Sequence, residues 1–195
     1  MRRLLVLCLV IGGLCGCTAG TAGVPSPVPE TGVSGVPVIE LPPRPREVRL
    51  DGLDPCTLLT VEQRAELGLD RDPLLDVGPS GLYGGVTQLC SIRRLDRPSY
   101  ALAIELSVTS GVEVFLQPGI RADVAPTDVR GFPTLEIRPT ELRDTCTVAL
   151  DVAPGQLLDV QVSNGGATPV APQNRLCERA REAADLVMTT LLGLR

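Results

Sequence analysis

The chain has 195 residues, a formal charge of −5, and neither His nor Lys. Those absences exclude Ser-His-Asp and Cys-His catalysis, Ser-Lys nucleophiles, Schiff bases and the phosphate-binding P-loop. The acidic balance leaves no basic face for nucleic acid, and the length suits one domain of about 150 residues plus extras.

Arg2 and Arg3 are followed by an apolar run from Leu4 to Gly13. A permanent membrane span needs roughly 20 apolar residues, so this shorter run reads as a cleaved export signal. Leu14-Cys15-Gly16-Cys17 comes next, a small residue directly before a cysteine. It resembles the lipobox of bacterial lipoproteins, with Cys17 as the first mature residue. The resemblance implies cleavage after residue 16, a diacylglyceryl thioether on Cys17, and the membrane as a partner at the extracytoplasmic face. Cleavage would remove two Arg, leaving 16 cationic against 23 acidic side chains, a net charge of −7.

Residues 17–47 are rich in Pro and Gly, for example Pro25-Ser26-Pro27 and Pro42-Pro43-Arg44-Pro45. Proline removes backbone donors and favours extended geometry, so an unpacked tether is expected, with a reach of about 90 Å.

The domain is expected over residues 48–195. Asp54 reads as an N-cap with Pro55 at the first helical position. Thr60 and Gln63 form a second start signal, a capping box, and Gly68 suits the helix end. Residues 69–85 read as loop, given Asp72-Pro73, Gly78-Pro79 and Gly81-Leu82-Tyr83-Gly84-Gly85. Val86, Gln88, Cys90 and Ile92 then share one face of a strand. Tyr100, Leu102, Ile104, Leu106 and Val108 give the clearest period-2 alternation in the chain. Val112 to Leu116 is ambiguous between strand and helical turn. Val124–Arg130 and Thr134–Arg138 flank a corner at Gly131-Phe132-Pro133. Cys146 to Val152 and Leu158 to Val162 form a second hairpin about Ala153-Pro154-Gly155. A final helix carries Leu176, Ala180, Ala183, Ala184, Val187 and Leu191 on one face. Its other face holds Glu178, Arg181, Glu182 and Asp185, with an Arg181–Asp185 pair at i,i+4 and Gly193 as the stop. The fold class is therefore α+β. It comprises an antiparallel sheet of about five or six strands, an N-terminal helix, and a longer C-terminal helix packed on one face. The core is aliphatic, since the aromatics are Tyr83, Tyr100, Phe115 and Phe132.

Cys56, Cys90, Cys146 and Cys177 lie in the domain. Behind an export signal they read as disulfides. Zinc is disfavoured, because no close Cys pair and no His is present. Four cysteines allow three connectivities, which spacing does not decide. We favour Cys56–Cys90 and Cys146–Cys177. Each would clamp a helix start onto a strand and close a loop of about 30 residues, worth about 3–4 kcal/mol.

Asp54-Pro55-Cys56-Thr57-Leu58-Leu59, Cys90, Gly131-Phe132-Pro133, Cys146-Thr147-Val148-Ala149-Leu150 and Cys177 together resemble a four-cysteine family of actinobacterial lipoproteins of unknown function. The resemblance spans about residues 51–192. Many members carry Trp where Ile92 stands. The resemblance implies a membrane-anchored envelope protein and supplies no reaction.

A two-carboxylate hydrolase needs only Asp or Glu, and Glu105, Glu113, Glu136, Glu141 and Asp159 are its candidates. All five fit solvent-facing positions of strands or loops, which disfavours it. Asp70, Asp72 and Asp76 lack the order of a calcium loop. No catalytic residue, cofactor or metal is expected. Two readings remain: an interaction module meeting an envelope protein or wall polymer, and a carrier enclosing a small apolar ligand in a dry cavity.

Overall fold

The computed structural model describes residues 39–195. The signal segment, Cys17 and most of the expected tether lie outside the described residues. Seven strands form one sheet: β1 (Leu74–Pro79), β2 (Val86–Arg94), β3 (Tyr100–Ser107), β4 (Ala122–Val129), β5 (Phe132–Pro139), β6 (Thr145–Ala153) and β7 (Gln156–Ser163). Their order is β1-β2-β3-β7-β6-β5-β4, and every neighbouring pair is antiparallel. Two helices form, a short α1 (Val61–Glu66) behind its expected capping box and a long α2 (Gln173–Leu194) where the apolar face implied one.

The sheet has one strand more than the five or six expected. The addition is β1, in a stretch read as loop because of its Pro and Gly residues. Proline is tolerated on an edge strand, where its missing N–H removes no ladder bond, and β1 is the edge. The expected N-terminal helix is also shorter than its signals suggested. Asp54 caps a 3-10 turn over Pro55–Thr57, and the Thr60–Gln63 capping box starts α1, which lasts six residues. Val112–Leu116, ambiguous in sequence, is a 3-10 turn. The Gly131 corner closes the β4–β5 hairpin, with Arg130 and Gly131 both at positive φ. Gly193 does not stop α2, which runs on to Leu194.

Alternation places the core. Leu102, Ile104 and Leu106 of β3, Val148 and Leu150 of β6, and Leu158, Val160 and Val162 of β7 share one face. Against it α2 lays Leu176, Ala180, Ala183, Ala184, Val187 and Leu191, the six residues of its expected apolar face, together with Cys177 and Met188. Burying each Leu or Val contributes roughly 2 kcal/mol. The two disulfides Cys56–Cys90 and Cys146–Cys177 fasten the 3-10 turn to β2 and the first turn of α2 to β6.

The opposite face carries a smaller core of Tyr83, Val112, Phe115, Leu135, Ile137, Ala149 and Leu157. Its roof is the 80–85 loop and the Val112–Leu116 turn; Ile39 and Leu41 also pack there. Packing therefore starts earlier than residue 48. Arg44 pairs with Asp151, and Val48 N–H donates to Val152 C=O at 2.8 Å. Among the described residues no helix is long and apolar enough to cross a membrane.

Candidate functional site

Two of the concave places among the described residues bring polar side chains together on opposite faces of the sheet. The larger is a groove of about 630 Å³ between the N-terminal half of α2, the end of α1 and the β2–β3 turn. Tyr100, the first residue of β3, forms its floor. The Tyr100 ring is held from two sides: its hydroxyl donates to the Leu67 carbonyl that ends α1, and the Arg179 guanidinium lies 4.9 Å from its ring centroid. Burial pushes the Tyr100 hydroxyl above the usual phenol range, while Arg179 and Arg94 oppose that shift. Arg94 donates from Nε to the Asp96 carbonyl at 3.3 Å. Its guanidinium lies against Gly68, where a Cβ would sit 2.6 Å from Nη1. Gly68 also adopts φ +69° after α1, so glycine there both ends the helix and leaves room for Arg94.

The groove's charges are Arg94, Arg175 and Arg179 against Glu66, Glu178 and Glu182. Arg175 and Glu178 pair at 2.7 Å. Among the described residues, Arg94, Arg179, Glu66 and Glu182 form no ion pair within 4.0 Å. In the sequence Glu178 and Glu182 lie on the solvent face of the last helix, Tyr100 reads as a core position of its strand, and nothing singles out Arg94 or Arg179. The signal available was weak: two Arg bordering the Asp96-Arg97-Pro98 turn and one on the helix that faces it.

The smaller place is a cleft of about 270 Å³ on the other face. Glu105 of β3 and Asp159 of β7 are cross-strand partners in register, so their side chains stand side by side on that face. Glu105 accepts from Thr87 Oγ1 at 2.6 Å, and Asp159 accepts from the Tyr83 hydroxyl. Asp159 is only 6 % exposed. Burial pushes its carboxyl up to about 7; the Tyr83 hydrogen bond opposes this and the Glu105 charge adds to it. Burial likewise raises the Tyr83 hydroxyl, with Asp159 adding to the effect. Tyr83 packs edge-on against Phe115 at 6.0 Å, and its carbonyl accepts from Ser110 Oγ at 2.6 Å. The Gly-rich 81–85 stretch, read in sequence as a flexible turn, thus seats a buried tyrosine over two carboxylates.

The five carboxylate candidates separate. Glu141 is exposed beside Arg121 at 2.6 Å. Glu113 folds back on Gly111 N–H at 3.3 Å. The expectation of solvent-facing positions fails for Asp159 and Glu136, both buried. Glu136 lies on the α2 face, bridged by Arg181 at 2.6 Å and Arg138 at 2.5 Å. The expected Arg181–Asp185 pair is accordingly absent: Arg181 reaches into the sheet, and Asp185 accepts from Arg130 at 2.9 Å. A bidentate or bridging contact to a buried carboxylate outcompetes an exposed i,i+4 pair.

Asp70, the first of the acids considered for calcium, accepts from the backbone N–H of Asp96 at 3.0 Å and of Leu95 at 3.0 and 3.1 Å. Those bonds hold its carboxyl below the usual range and fix the β2–β3 turn that borders the groove. Among the described residues one trio of metal-ligand types gathers within 4.8 Å: Glu136, Cys146 and Cys177. Both sulfurs are spent in a disulfide and the carboxylate is held by two Arg, so this trio does not fit a metal ion.

A family model described as "Protein of unknown function (DUF3558)" matches residues 12–190, and the chain belongs to that family. Neither a curated protein nor a solved structure matches the chain.

Proposed function

We propose that this family member is an exported actinobacterial-type envelope lipoprotein, anchored through an acylated Cys17, whose domain is a binding module and not an enzyme. The anchor rests on the signal-like start and the Leu14-Cys15-Gly16-Cys17 box. The acidic balance supports a covalent anchor, since adhesion to anionic lipid would need a basic face. The disulfides agree with folding in an oxidising compartment.

One observation carries the binding reading. A spacious concavity between α2 and the β2–β3 turn, about 630 Å³, is an open groove whose walls bear six charged side chains, three Arg and three Glu. A carrier for an apolar ligand would instead enclose a dry cavity lined by aliphatic side chains. Here the aliphatic faces of β6 and β7 are filled by α2, and that of β3 by the same core with the Pro55–Thr57 turn.

The hydrolase reading has one observation in its favour, the adjacent Glu105 and Asp159 with Asp159 raised to about 7. It needs an acid open to substrate, whereas Tyr83 already occupies the Asp159 carboxyl. A photo-crosslinking side chain at Ser99, on the groove wall, tests the module in its native envelope. Adducts from Ser99 that are lacking from the same group at exposed Asp123 on β4 are the expected result. Equal labelling from both positions, or none from Ser99, contradicts it.

A further inference from the structure

We propose that the groove between α2 and the β2–β3 turn takes a zwitterionic ligand, an amino acid or short peptide whose carboxylate sits on Arg94 and Arg179 and whose ammonium group meets Glu66 and Glu182. The inference rests on the binding-module reading and names its ligand class.

The charge arrangement points to it. Among the described residues, four charged groups of the groove, Arg94, Arg179, Glu66 and Glu182, form no ion pair, although two are cationic and two anionic. They are prevented from collapsing on one another. Arg179 is held over the Tyr100 ring, and Arg94 is tied to the Asp96 carbonyl and set against Gly68. A guanidinium lying over a ring still has N–H groups to offer, and two of them match a carboxylate in bidentate fashion. The two Arg are half-buried and the two Glu exposed, so the cationic groups lie deeper and the anionic ones form the rim. A dianion such as a phosphate monoester would gain from the Arg and be repelled by Glu66, Glu178 and Glu182. A simple cation would meet the reverse. A ligand with one charge of each sign satisfies both sets. The groove's 630 Å³ is within the range of small-ligand sites.

The walls are also pre-organised. The Cys146–Cys177 bond fixes the first turn of α2, and Cys56–Cys90 holds β2 to the chain entering α1. Asn164 accepts from Ala171 N–H at 2.9 Å and donates to the Ala167 carbonyl at 2.6 Å, closing the loop at the groove's far end. Little ordering cost is left for the ligand to meet.

The test is calorimetric titration of the full chain with three compounds: diglycine, N-acetyl-diglycine and diglycine amide. The first carries both charges, the second only the carboxylate, the third only the ammonium. Saturable binding of diglycine is expected, about tenfold tighter than either blocked form. Arg179→Gln should weaken diglycine by about tenfold. Glu182→Gln should weaken diglycine and leave N-acetyl-diglycine unchanged. Unaltered thermal unfolding of each variant checks that the fold is intact. Equal affinity for all three compounds, no saturable binding at millimolar concentration, or an indifferent Arg179→Gln overturns the assignment. The Ser99 crosslinking result stands or falls separately, so failure of the ligand class is distinguishable from failure of the module.

Discussion

Replacing Asp159 by Asn should remove a pH dependence of stability that the wild-type chain carries. In the folded protein the Asp159 carboxyl lies on β7 beside Glu105 of β3, under the Tyr83 hydroxyl, with burial as the main cause of its rise. The unfolded chain titrates this group near its ordinary 3.8, the folded chain at about 7. Between those values the folded state holds a proton that the unfolded state has released. Stability therefore falls as pH rises through this window, and is flat for this group above and below it. A displacement of that size is worth about 4 kcal/mol at most. For a domain of this size that corresponds to a melting temperature lower by about 10 °C at pH 8 than at pH 4 from this group alone. Asn is uncharged, nearly the same shape, and still accepts from Tyr83. Asp159→Asn should therefore be more stable than wild type at pH 8 and lose less stability than wild type between pH 5 and 8, the remaining fall including that of the half-buried Asp151 carboxyl, which is raised too. Urea unfolding monitored by circular dichroism, with disulfides intact, reads both quantities. A wild-type chain that gains stability between pH 5 and 8, or a variant that follows wild type across it, refutes the reasoning.

Tyr83→Phe keeps the ring against Phe115 and removes the donor to Asp159; a loss of about 1–2 kcal/mol in urea unfolding at pH 5 is expected. Replacing Cys146 and Cys177 together by Ala should cost about 3–4 kcal/mol, since the bond closes a loop with a sequence separation of 31. The same loss should appear in wild type on reduction of that bond, read by denaturant midpoint. Gly165→Ala places a Cβ 2.9 Å from the Tyr100 backbone at φ +59°, and should destabilise by about 1–3 kcal/mol in thermal unfolding. Arg181→Ala leaves Glu136 with Arg138 as its remaining cation; Arg181 is 42 % exposed, so solvent screening limits the expected loss to about 1–2 kcal/mol, read in the same assay.

What could be read in advance followed from periodicity and caps. Tyr100 to Leu106 alternates because one face of β3 is buried in the core, partly under the Pro55–Thr57 turn, and the six apolar positions of α2 repeat at helical spacing because that side of the helix lies on β6 and β7. The Thr60–Gln63 capping box is purely local and forms as its spacing implies. β1 was not legible, because its Pro and Gly residues belong to a loop unless the strand is known to be an edge. The clefts were hidden for a different reason. Whether Asp159 is buried depends on Tyr83, which is 76 residues distant, and whether Arg181 meets Asp185 or Glu136 depends on where the helix docks. Likewise Arg179 joins Tyr100 only through the packing of α2 over the start of β3. Local propensity carries no trace of such juxtapositions, so a solvent-facing default for every carboxylate fails where long-range packing closes over one.

Intact-mass spectrometry of the mature protein, isolated from the membranes of a bacterial host with lipoprotein processing, tests the anchored-module account most directly. The account predicts a chain beginning at Cys17, heavier than the bare polypeptide by a diacylglyceryl group, and lighter by 4 hydrogens for the two disulfides. A product that carries no acyl mass on that sulfur, or that retains residues 1–16, contradicts it.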